Sequence, residues 1–208
     1  MNVVEPGSRA ENILARAKEL ILRPVPTWDV IEAEEATIEG LYKGWVLPLA
    51  AVPAACGALG QLAYRGVTIF GIRFHPNVVG IVTEAAVSYV LTLISVYIMA
   101  VVVDGLALRF GGERSRTQAF KLGAYSATAA WLGGVFLLLP GPGGLLAFLA
   151  GLYSLYLFYL GLPKLMRSSP EQTPTYFVMA FLVLIGLAIL MGILTSCFGS
   201  WGGPVSIY

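Results

Sequence analysis

Pro140-Gly141-Pro142-Gly143-Gly144 stands at the centre of the longest uncharged stretch in the chain, for no charged side chain lies between Lys121 and Lys164. Proline brings no backbone donor and glycine loses the most backbone entropy on ordering, so neither helix nor strand continues through this segment. Apolar runs flank it, Leu122–Leu139 and Leu145–Leu162. At about 1.5 Å of rise per residue, each covers most of a hydrocarbon layer roughly 30 Å thick. The pattern predicts a helical hairpin that crosses a bilayer, turns tightly and returns.

The rest of the composition agrees. Only 12% of the residues are charged, against about 25% in ordinary soluble domains, too few to cover a soluble surface. The net charge of +1 gives no basic surface for nucleic acid. Cys56 and Cys197 match no metal spacing, and the one histidine, His75, has no Cys, Asp or Glu at ligand spacing, so neither a metal nor another cofactor is expected. Glu5, Arg9 and Glu11 are followed by no immediate apolar core, so the first residues do not read as a cleavable signal peptide.

Taken in order, the chain predicts an all-α membrane protein with five spans. These are Gly44–Tyr64, Val79–Leu108, the two arms of the hairpin, and Thr175–Cys197. Residues 1–43 form a polar N-terminal segment, 44–197 the membrane domain, and 198–208 a short tail. Lys and Arg divide eleven to two between alternate loops. The positive-inside rule then puts the N-terminus in the cytoplasm and the C-terminus outside.

The N-terminal segment carries helix signals. Ser8-Arg-Ala-Glu11 has capping-box spacing. Behind it Ile13, Leu14, Ala17, Leu20 and Ile21 recur on one face up to Pro24. This amphipathic helix either lies on the membrane surface or docks on the protein's own spans. A second helix is expected from Thr27, as cap, through Glu39, with Trp28 in the headgroup layer. Its acidic residues Glu32, Glu34, Glu35 and Glu39 are read as a solvated face, or as a dock for a basic partner.

Candidate ligand or lipid contacts are few, because the middle of every span is free of charge. Glu84 heads a polar stripe with Ser88 and Ser95, and Thr92 at its edge; it reads as interhelical hydrogen bonding or as a polar ligand path. Tyr153 and Tyr156 stand in the fourth span, and Tyr153, deeper than the interfacial Tyr159, needs a partner for its hydroxyl. Ser126, Thr128 and Ser154 are the expected partners, with Tyr125 nearby; a lipid pocket lined by these phenols is the alternative. Asp104 is placed near an interface to pair with Arg109 or Lys121. Gly123, Ala127, Ala130 and Gly134 form a seam of small residues, with the returning helix as its natural partner. No phosphate-binding loop, nucleophile elbow or metalloprotease helix occurs, so no enzyme is expected.

Four places carry a family likeness: Pro26-Thr-Trp28-Asp; Phe110-Gly-Gly112 with Phe120-Lys-Leu-Gly-Ala-Tyr125-Ser; the Trp131…Pro140 hairpin; and Leu152-Tyr-Ser-Leu-Tyr156 through Gly161-Leu-Pro-Lys-Leu-Met166. Together they resemble the Yip family, in its bacterial branch. The resemblance implies five spans with a cytoplasmic N-terminus, in a bacterial inner membrane. Eukaryotic members bind Rab GTPases through an Asp-Leu-Tyr-Gly-Pro motif, where this chain has Gly40-Leu-Tyr-Lys-Gly. Rab binding is therefore not carried over, and Ala129 follows Thr128 where the family often has proline. The reading is a non-enzymatic membrane protein that organises or assists other membrane components, in contact with lipid and with a second copy or a membrane-protein partner. The alternatives are a lipid or small-hydrophobe carrier, or a subunit of a larger complex.

Overall fold

Two short helices open the described part of the chain and pack against the bundle. The computed structural model describes residues 6–63, 68–69, 72–73 and 77–199, with side chains over 12–63 and 77–195. His75 and the end of the chain from residue 200 lie outside the described residues. Helix α1, Pro6–Leu22, starts ahead of Ser8, which is thus inside the helix and not its cap. It buries Ala17 and Leu20 in the core, while Leu14 and Leu22 stay exposed. The inner face therefore docks on the protein's own spans.

Helix α2, Pro24–Ala33, has proline in its first turn, where the missing N–H is no loss. The expected roles of Thr27 and Trp28 are both corrected. The Thr27 hydroxyl donates to the Arg23 carbonyl at 2.7 Å and caps nothing. Trp28 is fully buried with Ile31, because α2 lies against α8 and not in the headgroup layer. The helix also stops at Ala33 instead of reaching Glu39. A new one begins after Thr37, whose Oγ1 accepts the Gly40 N–H at 3.1 Å.

From there one rod runs Ile38–Ala63: α3 (Ile38–Leu41), a π turn (Tyr42–Val46) and α4 (Leu47–Ala63). Pro48 has no N–H to offer the preceding turn, and the π turn lets Leu47 N–H reach the Tyr42 carbonyl instead. A two-residue antiparallel pairing, β1 (Thr68–Ile69) with β2 (Ile72–Arg73), precedes the longest helix. That is α5, Val78–Ala107, opened by the Asn77 side chain accepting from Val79 N–H and closed by a 3-10 turn, Leu108–Phe110.

The first arm of the hairpin is not one helix. It is α6 (Arg116–Ser126), α7 (Thr128–Gly133) and a 3-10 turn (Gly134–Leu138). At the break, Ser126 Oγ donates to the Leu122 carbonyl at 2.6 Å. Ala130 N–H, four residues on from Ser126, donates to Ser154 Oγ at 2.8 Å. Hydroxyls that compete for backbone groups in this way bend and interrupt helices. The turn itself is as expected. Gly141 takes φ 80°, and a Cβ at Gly143 would stand 2.1 Å from the Phe136 carbonyl oxygen.

The returning helix α8, Gly143–Met166, runs through Pro163 and ends at Arg167 in the left-handed region, φ 49°. The last, α9, is Thr173–Gly199. Among the described residues, four helices are long and apolar enough to cross a membrane: Ile38–Ala63, Val78–Phe110, Gly143–Met166 and the helix from Thr173. The broken arm, expected as a fifth, is not one of the four.

Candidate functional site

The bundle leaves a cavity of about 560 Å³ between α5, α6–α7, α8 and α9. It exists because α9 packs chiefly on α5 and meets α8 at the rings of Phe158, Tyr159 and Phe177. Its walls include Val96, Met99, Trp131, Phe158 and Phe181. Polarity comes from hydroxyls: Ser88, Thr92 and Ser95 on α5, Ser126 on α6, Ser154 on α8 and Thr195 on α9. No Asp, Glu, Lys, Arg or His lines it.

The stripe on α5 is built differently from the expectation. Ser88 donates to the Ala85 carbonyl, Thr92 to Ser88 and Ser95 to Thr92, all within the helix. These three hydroxyls turn back to carbonyls three or four residues earlier, so they need no neighbouring helix. Glu84 is no part of the cavity: it lies nearer the start of α5 and accepts from Gln61 Nε2 on α4 at 3.3 Å. The structure thus groups Ser88, Ser95 and Ser126 and separates them from Glu84.

The tyrosines separate as well. Tyr125 faces away from the cavity, its ring edge-on to Trp28 at 6.4 Å and tilted against Trp45 at 4.7 Å. Tyr156 is exposed, with its ring 5.6 Å from that of Tyr153. The Tyr153 hydroxyl reaches none of its expected partners. It donates to the Ile21 carbonyl at 2.6 Å, at the end of α1. Thr128 Oγ1 instead accepts from Trp45 Nε1 at 3.1 Å. Tyr153 is thus a tether for the N-terminal segment. Tyr153→Phe is expected to destabilise the docking of α1 by about 1 kcal/mol, the net worth of one hydrogen bond. Amide exchange over residues 13–22 would rise with the global melting temperature little changed.

The small-residue seam also meets other partners. A Cβ on Gly134 would stand 2.5 Å from Pro53 of α4, and Gly123 approaches Val96 of α5. The contact with the returning helix is made one residue over, by Gly133 against Ala150. Ala127 and Ala130 line the cavity.

At the polar end, every expected charge partner changes. Asp104 is buried, and its Oδ2 accepts from Arg116 Nε at 3.1 Å and Arg114 at 3.4 Å, not from Arg109 or Lys121. The bond to Asp104, helped by Tyr97, holds the Arg116 guanidinium above its ordinary pKa. Arg109 is exposed in the 3-10 turn. Lys121 is buried and turns to α2, donating to the carbonyls of Ile31 at 2.8 Å, Glu32 at 3.5 Å and Glu34. The acidic residues of the N-terminal segment are largely engaged inside the chain. Arg16 pairs with Glu34, Lys164 with Asp29, and Arg167 with Glu32 and Glu113.

Sequence reasoning singled out three of the six cavity hydroxyls as ligand candidates, Ser88, Ser95 and Ser126, and missed the apolar walls. Met99, Trp131 and Phe181 stand in runs apolar on every side, so no periodicity marks the face they present. The Yip1 domain family matches residues 18–193. The inner membrane protein YohC of Escherichia coli strain K12 is 27% identical over 192 residues, covering 88% of this chain and 94% of that protein. The YohC of Escherichia coli strain CFT073 matches to the same extent. No solved structure matches.

Proposed function

The chain belongs to the Yip1 domain family, and from that premise we propose that this integral membrane protein is non-enzymatic and organises or assists other components of a bacterial inner membrane. The name of its Escherichia coli relatives, an inner membrane protein, supports the location. The eleven-to-two division of Lys and Arg supports a cytoplasmic N-terminus. In this reading residues 122–139 make a short fifth crossing, completing five.

One observation carries the role. Helices α1 and α2 spend one face on the bundle, through Ala17, Leu20, Trp28 and Ile31, yet keep Leu14, Leu22, Val25 and Val30 exposed. Apolar side chains on a segment beside the cytoplasmic surface are suited to a membrane interface or to another membrane protein. A segment so firmly fixed to the bundle presents them as a rigid surface. The partner is a second copy of this chain or a different membrane protein, with surrounding lipid and no nucleic acid.

The test replaces Leu14, Leu22, Val25 and Val30 together by Gln, which leaves the buried face intact. Native mass spectrometry of protein released gently from its own membrane is expected to find the parent with extra copies or another polypeptide. The variant should be monomeric at an unchanged melting temperature. A variant that keeps the same associate would remove these helices from the role. The second reading, a carrier or permease for a lipid or small hydrophobe, is favoured by the cavity and does not involve α1 and α2.

A further inference from the structure

We propose that the cavity between α5, α8 and α9 binds an uncharged, membrane-soluble carbonyl compound of the quinone or ketone class, held by the Ser154 hydroxyl. The site is independent of the outward face of α1 and α2, and it gives the carrier reading a ligand class.

Size and polarity set the first limits. A volume of about 560 Å³ falls within the roughly 300–1,000 Å³ of small-molecule sites. No charged side chain lines the cavity, so a carboxylate or phosphate held there would be an unpaired charge in an apolar setting. The ligand is neutral. Trp131, Phe148, Phe158 and Phe181 supply flat apolar surface, suited to a ring.

Hydrogen bonding sets the next limit. Five of the six lining hydroxyls have already given their protons to carbonyls of their own helices. Ser154 differs. It is buried, its oxygen accepts the Ala130 N–H at 2.8 Å, and its own proton has no acceptor among the described residues. A hydroxyl proton without an acceptor in an apolar setting is costly. A ligand that brings a carbonyl oxygen relieves that cost.

Two kinds of neutral carbonyl match that donor, the ring carbonyl of a quinone or ketone and the ester of a phospholipid. The aromatic walls Trp131, Phe148, Phe158 and Phe181 favour the ring, and the test separates the two.

The test uses the full chain in lipid nanodiscs, with decylubiquinone as probe and tryptophan fluorescence as readout, since Trp131 is part of the wall. Saturable quenching is expected for the parent. Gly151 and Gly192 line the cavity, and a Cβ at either meets nothing within 4 Å, so Gly151→Leu or Gly192→Leu starts a side chain from open space and takes up volume there. Either variant, at an unchanged melting temperature, should lose the saturable component. Gly144→Leu, equally open but outside the cavity, should keep it. Ser154→Ala should weaken binding about two- to tenfold, the worth of one hydrogen bond. Decylbenzene, which lacks carbonyls, should compete more weakly by a similar factor, a readout that does not depend on the Ser154 variant folding. Absence of saturable quenching, or its survival in both filled variants, overturns the site. Equal competition by decylbenzene overturns the carbonyl contact. A phospholipid retained by the parent in native mass spectrometry, and lost on filling, overturns the ligand class in favour of an acyl chain.

Discussion

Gly161→Val is expected to lower the stability of the folded protein by about 1–3 kcal/mol, the usual range for overpacking a filled core. It should also release the two N-terminal helices. A Cβ at Gly161 would stand 2.7 Å from Trp28 Cε2 and 2.8 Å from Leu122 Cδ1. Trp28 and Leu122 are fully buried. The leucine methyl can swing aside, but the indole is rigid, so α2 must lift from α8. In detergent the expected signs are a lower melting temperature and protease cleavage within residues 23–37. The steric account is tested by Gly161→Ala combined with Trp28→Phe, which removes the facing ring atoms and an indole N–H that has no acceptor among the described residues. The pair should recover most of what Gly161→Ala alone loses. A Gly161→Val protein with parental stability and an uncut N-terminal segment would refute the docking of Trp28 on α8.

Lys121→Met has the second large effect. The ammonium closes the end of α2, where the last carbonyls of a helix have no partner of their own. Truncation leaves the Ile31, Glu32 and Glu34 oxygens without this donor. Burial pushes the Lys121 pKa down, and Glu34 and Glu32 draw it partly back. Some desolvation cost is therefore recovered when the charge is removed. The expected net loss is about 1–3 kcal/mol, the cost of unsatisfied buried acceptors. The pH dependence carries a definite sign. With the folded pKa below the unfolded one, the unfolded chain binds more protons across that interval. Stability contributed at this site therefore rises with pH from the lowered value up to the ordinary one near 10.4. Titrating the melting temperature of parent and variant should show this rise in the parent and its absence from Lys121→Met. A flat difference between the two curves would mean that Lys121 is not held as a buried ammonium.

Both residues show where sequence reading stops. Gly161 and Lys121 lie at the ends of apolar runs, where glycine and lysine are commonplace. Nothing local separates a glycine under a tryptophan from one facing lipid, or a lysine that caps a distant helix from one that anchors an interface. Trp28 and Thr27 were legible as residues suited to a helix start near a membrane surface. Their burial depended on α8 lying above them. The same holds for Asp104, whose partners Arg114 and Arg116 follow from the turn after Phe110 and not from any spacing along α5.

What the sequence determined by itself is the membrane class, the approximate bounds of the long helices and the turn at Pro140–Gly144. Hydrophobic transfer and backbone chemistry act residue by residue, so counting suffices. Tertiary structure alone decided that the first hairpin arm breaks at Ala127, that the N-terminal helices fold onto the bundle, and that α9 leans on α5 to leave a cavity beside α8. In a helix apolar on every side, hydrophobicity assigns no face. The faces are chosen by close approaches such as Gly134 on Pro53 and by hydroxyls such as Ser154 that find a backbone partner on another helix.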